Sequence, residues 1–204
     1  MRGPLPRVHA ITDERIARRP DLATVAQLLA AGGGDRLALH ARGHALSGLE
    51  HHRLALRLAA ARPARLFVND RLDVALAADA WGVQLPCGGL APGDARRLHP
   101  TWWIGQSVHD ARGAAAARTA GADYLLVGAV YRTASHPDRM PLGVAVLAEI
   151  AALGLPVIAI GGVTPERVAE LKGAGAHGVA ALGALWDGPD PAAAAADMVQ
   201  AWDT

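Results

Sequence analysis

Short apolar runs alternate with longer segments of helical periodicity along the whole chain. An uninterrupted apolar run is typical of a parallel strand that is covered on both faces. Eight such runs are present, at Val8–Thr12, Arg36–His40, Arg65–Asn69, Gly82–Leu85, Trp102–Gln106, Tyr124–Val127, Pro156–Ile160 and Gly178–Ala181. Helical patterns lie between and after them, at Thr24–Ala31, Leu49–Ala61, Leu72–Ala78, Pro92–Leu98, Arg112–Ala120, Val144–Ala152, Thr164–Ala174 and Pro191–Trp202.

Each strand and its helix together take about 20–30 residues, which is the room that a right-handed crossover between parallel strands needs. The pattern therefore predicts an α/β fold, a (β/α)8 TIM barrel that forms a single domain over residues 1–204. A doubly wound open sheet is the competing topology, but it seldom combines eight such units with two consecutive strands that end in glycine.

Those two glycine-ended strands are the most informative local feature. The tract Pro156–Thr164 runs from apolar residues straight into Gly161 and Gly162, and the tract Gly178–Ala184 repeats the pattern with Gly183. Glycine lets backbone N–H groups approach an oxyanion closely. In (β/α)8 barrels the loops after strands 7 and 8 often bind phosphate. We therefore predict a phosphate site here, with simple tight turns as the alternative.

The composition of the chain mainly excludes certain kinds of partner and covalent cross-link. With 204 residues, 51% of them hydrophobic, the chain can bury one large core, and a net charge of +1 gives no electrostatic reason to expect nucleic acid or a membrane as partner. The single cysteine, Cys87, excludes an intrachain disulfide, and we expect it to be a small buried residue. No signal peptide or membrane span is evident, which predicts a cytoplasmic protein.

Polar side chains follow the predicted strands at their carboxyl ends, where barrel enzymes place their active sites. In chain order they are Thr12, Asp13, His40, Arg42, Asn69, Asp70, Arg71, Gln84, Ser107, His109, Asp110, Thr133, Ser135 and His136. Because the carboxyl ends of all eight strands open on one mouth, we expect these side chains to converge there.

Several of these candidates also have a structural explanation. Asp70 is equally suited to cap the helix that begins near Leu72. Arg42 fits a solvated loop charge, although a position facing the predicted phosphate turns favours contact with an anion. The pair His51–His52 fits a helix surface, and Trp102–Trp103 fits packing at the opposite end of the barrel.

Six segments together resemble one known family. They are His9–Asp13, Val68–Leu76, Gly82–Pro86, Gly105–His109, Gly121–Tyr124 and Pro156–Thr164. In this order, and over nearly the whole chain, they resemble the thiamin phosphate synthase and thiazole tautomerase family (ThiE/TenI). Each segment is weak evidence alone, whereas the set is specific for the family.

The resemblance implies a (β/α)8 barrel that binds thiazole phosphate at its mouth. On this basis Gly161, Gly162, Gly183 and Ala184 would hold the phosphate through backbone N–H groups, which suit an anion without any lysine. The remaining candidates for substrate contacts are His40, Arg42, Asn69, Gln84, Ser107 and Thr133.

Departures from the family pattern bear on the activity. The synthase branch carries a motif similar to Gln-x-Arg-x-Lys at the positions where this chain has Ala38–Arg42. It also carries an acidic metal ligand where this chain has Gly89, and a lysine where this chain has His136. Mg²⁺ usually needs carboxylates together with phosphate oxygens, and Asp70 alone is a poor site. We therefore expect coupling to a pyrimidine pyrophosphate to be absent or very slow.

The tautomerase branch is matched better but also imperfectly. The motifs Val83–Pro86 and Ser107–His109 resemble that TenI-like branch, which moves a proton in a thiazole carboxylate phosphate. The histidine of its Gly-His-Val-Phe motif is replaced here by Ala129. His109 is then the best candidate for the catalytic acid and base, because imidazole titrates near neutrality.

Three hypotheses remain at this stage. The first is a thiazole tautomerase that uses His109 and needs no metal or other cofactor. The second is a thiamin phosphate synthase, which would use Mg²⁺ with Asp70 as candidate ligand. The third is a binder or regulator that has lost the chemistry. All three take a small-molecule thiazole phosphate, with no nucleic acid or membrane, and the sequence leaves open whether the chain forms a homo-oligomer.

Overall fold

The fold is a closed barrel of eight parallel strands, paired in sequence order from β1 to β8 and back to β1. The computed structural model describes residues 3–133 and 140–204. The strands are β1 Val8–Ile11, β2 Leu37–Ala41, β3 Arg65–Asn69, β4 Gly82–Leu85, β5 Trp103–Val108, β6 Tyr124–Gly128, β7 Val157–Ile160 and β8 Gly178–Ala181. The predicted (β/α)8 barrel is confirmed, and each predicted strand overlaps an observed one.

Helices cover the outside of the barrel. They are α1 Glu14–Ala17, α2 Leu22–Gly33, α3 Gly48–Ala59, α4 Leu72–Ala77, α5 Pro92–Leu98, α6 Ala111–Thr119, α7 Gly143–Ala151, α8 Val168–Gly173, α9 Gly183–Trp186 and α10 Pro191–Asp203. Short 3-10 turns stand at Gly34–Arg36 and Pro165–Arg167. The short helices α1 and α9 escaped prediction because one turn is too short to show helical periodicity.

Side chains of successive strand residues alternate between the barrel interior and the layer under the helices, as the period of two requires. The outer layer forms the large apolar core, whereas the interior holds a smaller cluster that includes Phe67, Tyr124 and Ile158. Gly105 belongs to the interior set, and a Cβ on it would collide with the ring of Tyr124. Glycine at this position leaves the space that the tyrosine ring fills.

Polar caps begin several of the helices. Ser47 and Glu50 form a reciprocal capping box at the start of α3. The carboxylates of Asp13, Asp110 and Asp190 accept hydrogen bonds from the first turns of α1, α6 and α10. Two mouth candidates, Asp13 and Asp110, are therefore explained by capping.

Burial corrects two expectations. Cys87 is exposed instead of buried, because it lies in the turn after β4 and not on a strand. His51 is buried instead of lying on the helix surface, because its Nε2 donates to the carbonyl of Ala41 at 2.9 Å. The expectation for Trp102 is confirmed, since it is buried in the core.

Within the described residues, we find no helix with the length and apolar character that a bilayer span requires.

Candidate active site at the barrel mouth

The loops after β7 and β8 form a cradle of free backbone donors. Ile160 pairs with Ala180, so the loop that begins at Gly161 lies beside the loop that begins at Leu182. Among the described residues, the N–H groups of the four cradle positions donate no hydrogen bond; these positions are Gly161, Gly162, Gly183 and Ala184. Unpaired N–H groups are costly unless water or a ligand satisfies them, and an anion can satisfy several at once.

Glycine is required by the geometry of this cradle. Gly161 and Gly162 have φ angles of 99° and 65°, a region that side chains with a Cβ rarely adopt. A Cβ at Gly161 would lie 2.5 Å from the Cβ of Ala129, which belongs to the neighbouring loop. The two loops can approach this closely only because position 161 lacks a side chain.

A cation supports the cradle from one side. Arg167 donates to the carbonyl of Gly162, and its guanidinium carbon lies 4.3 Å from the ring centre of Tyr131. The Tyr131 hydroxyl in turn donates to Glu170 at 2.6 Å. Burial, reinforced by that hydrogen bond, raises the pKa of Tyr131 to about 12, so the phenol stays neutral. Arg167 is not a candidate on sequence grounds, because a charge in the first turn of an exposed helix resembles an ordinary surface residue.

A buried polar chain runs from the floor of the barrel to its mouth. His9 Nε2 lies 3.1 Å from the carbonyl oxygen of Pro6, and His9 Nδ1 lies 2.8 Å from His40 Nε2. His40 Nδ1 then lies 3.0 Å from the Oδ1 position of Asn69, the last residue of β3. Both rings have no exposed surface, and His40 is stacked on Phe67. His9 was missed because one histidine in an apolar strand gives no local sign of its partner.

This arrangement corrects the expected position of His40. We expected the imidazole to line the mouth, but both of its ring nitrogens are already engaged inside the protein. Burial lowers the pKa of His40 to about 4 and lowers that of His9 still more clearly, with the neighbouring ring as a further cause for His9. His40 thus lies beneath Asn69, and of the three side chains His9, His40 and Asn69 it is Asn69 that reaches the mouth.

Gln84 and Ser107 form a second polar pair. The Gln84 amide nitrogen donates to the Ser107 hydroxyl at 3.0 Å and lies 3.2 Å from the carbonyl oxygen of Leu85. Gln84 is almost fully buried and Ser107 is half-buried, so Ser107 is the member closer to solvent. The Gln84 oxygen is buried without a hydrogen-bond partner among the described residues.

His109 is exposed after β5, and its ring is anchored to the β6 loop. Its Nδ1 donates to the carbonyl of Gly128 at 2.7 Å, since a carbonyl can only accept. Nδ1 thus carries a hydrogen, and no residue that the structure describes forms a hydrogen bond with Nε2. Gly128 immediately precedes Ala129, so the imidazole of His109 lies next to the position where the resemblance places the tautomerase histidine. Asp110, which caps α6, does not orient this ring.

The side of the mouth near β2 and β3 carries a different cluster. Arg42 Nη2 lies 2.6 Å from His44 Nε2, and His44 Nδ1 lies 3.9 Å from the Asp70 carboxylate. Arg42 therefore contacts His44, which lies near Asp70 in the loop after β3. This differs from the expectation that Arg42 faces the predicted phosphate turns. Asp70 does not cap α4, which has no side-chain cap.

No ready-made metal cage is present within residues 3–133 and 140–204. No group of three or more histidine, cysteine or acidic side chains in these ranges could hold a metal ion. Gly89 forms part of the turn after β4, through a hydrogen bond to Pro86, and supplies no carboxylate. Thr133 lies at the end of the described part of the β6 loop, whereas Ser135 and His136 fall outside the described residues.

Comparison with known proteins places this geometry in context. A family model described as thiamine monophosphate synthase matches residues 8–185. A thiamine-phosphate synthase of Methanoculleus marisnigri is 40% identical over 94% of this chain and 92% of its own length. A protein of the same name from Salinispora tropica is 40% identical over 97% of both chains.

Solved structures agree with these sequence matches. A thiamine phosphate pyrophosphorylase from Pyrococcus furiosus superimposes with a TM-score of 0.83 at 27% identity, over 97% of this chain and 95% of the other. The names of these relatives support the synthase hypothesis over the tautomerase branch, which the motifs alone favour. The chain is a member of the thiamine monophosphate synthase (TMP-TENI) family.

Proposed function

We propose that this chain is a thiamine-phosphate synthase, a transferase that joins a pyrimidine pyrophosphate to thiazole phosphate. Its main support is that relatives with this name align at 40% identity over nearly their whole length. The second support is the cradle of free N–H groups at Gly161, Gly162, Gly183 and Ala184, which suits the phosphate of the thiazole substrate.

The chain's own residues would divide the work as follows. The cradle would fix the thiazole phosphate on the side of β7 and β8, with Arg167 adding positive charge beside it. Arg42 lies near β2 and β3, where a second, diphosphate-bearing substrate would meet a cation. Asn69 and Ser107 would contact the ring systems between these two anion sites, and Gln84 would orient Ser107.

Mg²⁺ fits this site only in part. Asp70 offers a single carboxylate, and the described residues form no protein cage for the ion. Mg²⁺ commonly binds one or two carboxylates together with substrate phosphate oxygens. Asp70 would therefore hold the ion only in company with the diphosphate, and we assign no step of the reaction to it.

A coupling assay tests the proposal. The purified chain is incubated with thiazole phosphate, pyrimidine pyrophosphate and excess Mg²⁺, and thiamin phosphate and pyrophosphate are measured. We expect product from the parent, reduced product from Asp70→Asn, and none from a Gly161→Val variant that cannot seat the phosphate. Binding of thiazole phosphate by the parent without any product would contradict synthase activity.

One observation favours a second candidate, the thiazole tautomerase. The His109 ring is hydrogen-bonded to the carbonyl of Gly128, just before Ala129, and its Nε2 has no partner among the described residues. An imidazole there could accept and return the proton that aromatisation moves. Aromatisation of thiazole carboxylate phosphate, measured on the same preparation, distinguishes this activity from the synthase. Tight binding with no product in either assay would instead identify a binder without chemistry.

A further inference from the structure

The buried chain of His9, His40 and Asn69 fixes which atom Asn69 turns to the ligand. The Pro6 carbonyl can only accept a hydrogen bond, so His9 Nε2, 3.1 Å away, must carry a hydrogen. Burial keeps both imidazoles neutral near pH 7, and a neutral imidazole has one N–H only. His9 Nδ1 is therefore an acceptor.

The hydrogen on His9 also fixes the tautomer of His40. The contact of 2.8 Å between His9 Nδ1 and His40 Nε2 needs a donor, which must be His40 Nε2. His40 Nδ1 is then left with a lone pair. An oxygen at the Oδ1 position of Asn69, 3.0 Å away, would set two acceptors against each other. A half-turn of the amide, which exchanges oxygen and nitrogen, replaces this repulsion with a hydrogen bond.

The other end of the Asn69 amide is open. It makes no hydrogen bond to any described residue, and it is not among the buried side-chain atoms that lack a partner. Asn69 ends β3, so this atom faces the mouth. With the nitrogen turned inward to His40, the atom at the mouth is the oxygen.

We propose that His9 and His40 are positioning residues that hold the Asn69 carbonyl oxygen toward the mouth, so that the site selects a ligand group that donates a hydrogen bond. An N–H or O–H group on the substrate ring system would be accepted at this point. A carboxylate or another lone-pair acceptor would be rejected, because it would meet the amide oxygen. The binding part of this inference rests on the proposed function, and the tautomer part does not.

Long-range proton–nitrogen NMR on ¹⁵N-histidine-labelled protein tests the tautomers directly. At pH 7.5 we expect both His9 and His40 in the form that carries hydrogen on Nε2. His9→Leu removes the acceptor for His40, so the His40 ring should change to the form with hydrogen on Nδ1. His9→Gln offers an amide oxygen to His40 and should keep the parental tautomer. A parental His40 with hydrogen on Nδ1, alone or on both nitrogens, would overturn the inference.

Calorimetric binding tests the consequence for ligands. His9→Leu should weaken binding of the pyrimidine pyrophosphate, whose ring amino group is an N–H donor, about tenfold, as for one lost neutral hydrogen bond. His9→Gln should bind within about twofold of the parent if one acceptor replaces another. Inorganic phosphate should bind equally to all three proteins, because its cradle follows β7 and β8 and not β3.

Failures of the two proposals are distinguishable. A parent that binds inorganic phosphate but not thiazole phosphate contradicts the proposed function, and the NMR result still decides the tautomers. Equal pyrimidine pyrophosphate affinity of His9→Leu and the parent, despite a changed tautomer, would refute the selection of a donor group. If His9→Leu does not fold, the parental tautomers and the His9→Gln variant carry the test.

Discussion

Acid should destabilise this barrel through His40 before most carboxylates titrate. The ring is fully buried, and burial lowers its pKa from 6.5 to about 4, with the nearby Arg42 charge acting in the same direction. At a pH between these two pKa values, His40 is protonated in the unfolded chain but stays neutral in the folded protein. The free energy of unfolding therefore falls as the pH falls through this window, and His40 imposes no such cost above it.

The size of the effect follows from the shift. Each unit of pKa difference corresponds to about 1.4 kcal/mol. His40 alone should then reduce the free energy of unfolding by about 2 kcal/mol at pH 5 and about 3 kcal/mol at pH 4, relative to pH 8. His9 is shifted in the same direction and adds to the loss.

Urea unfolding followed by circular dichroism at pH 8 and pH 5 measures this loss. His40→Gln is the informative variant, because its amide can still donate to His9 but cannot take up a proton. We expect the parent to lose about 2 kcal/mol more than His40→Gln between the two pH values. His52→Gln, on the partly exposed side of α3, is the matched control and should follow the parent. If His40→Gln and the parent lose equal stability, His40 is not a buried neutral group.

Three further predictions concern single substitutions. Gly161→Val should abolish phosphate binding, measured by calorimetry, because a Cβ would collide with Ala129 2.5 Å away and the φ of 99° disfavours a side chain; unchanged affinity would disprove the cradle. His109→Asn should slow any thiazole aromatisation by about 10²–10⁴-fold while leaving phosphate binding intact, and an unchanged rate would exclude His109 as the acid and base. Ser47→Ala should lower the free energy of unfolding by about 1 kcal/mol through loss of the box with Glu50, whereas a neutral result would show that the cap is redundant.

Local sequence determined the architecture and the glycine-rich loops after β7 and β8. Each strand is a short apolar run, and such a run carries its own signal because a parallel strand is buried on both faces. Gly161 and Gly162 could be identified for a similar reason, since close backbone approach and positive φ require glycine at the position itself. Six family motifs then indicated a thiazole phosphate ligand, and the comparisons confirmed the family.

Tertiary structure alone decided what the polar residues near the mouth do. His9 and His40 are 31 residues apart, and only the pairing of β1 with β2 brings their rings together inside the barrel. Arg167 and Tyr131 likewise meet because the loops after β6 and β7 are neighbours. Burial and hydrogen bonding depend on such distant partners, so the sequence could name His40 as a candidate, but only the packed barrel shows it enclosed, neutral and beneath Asn69.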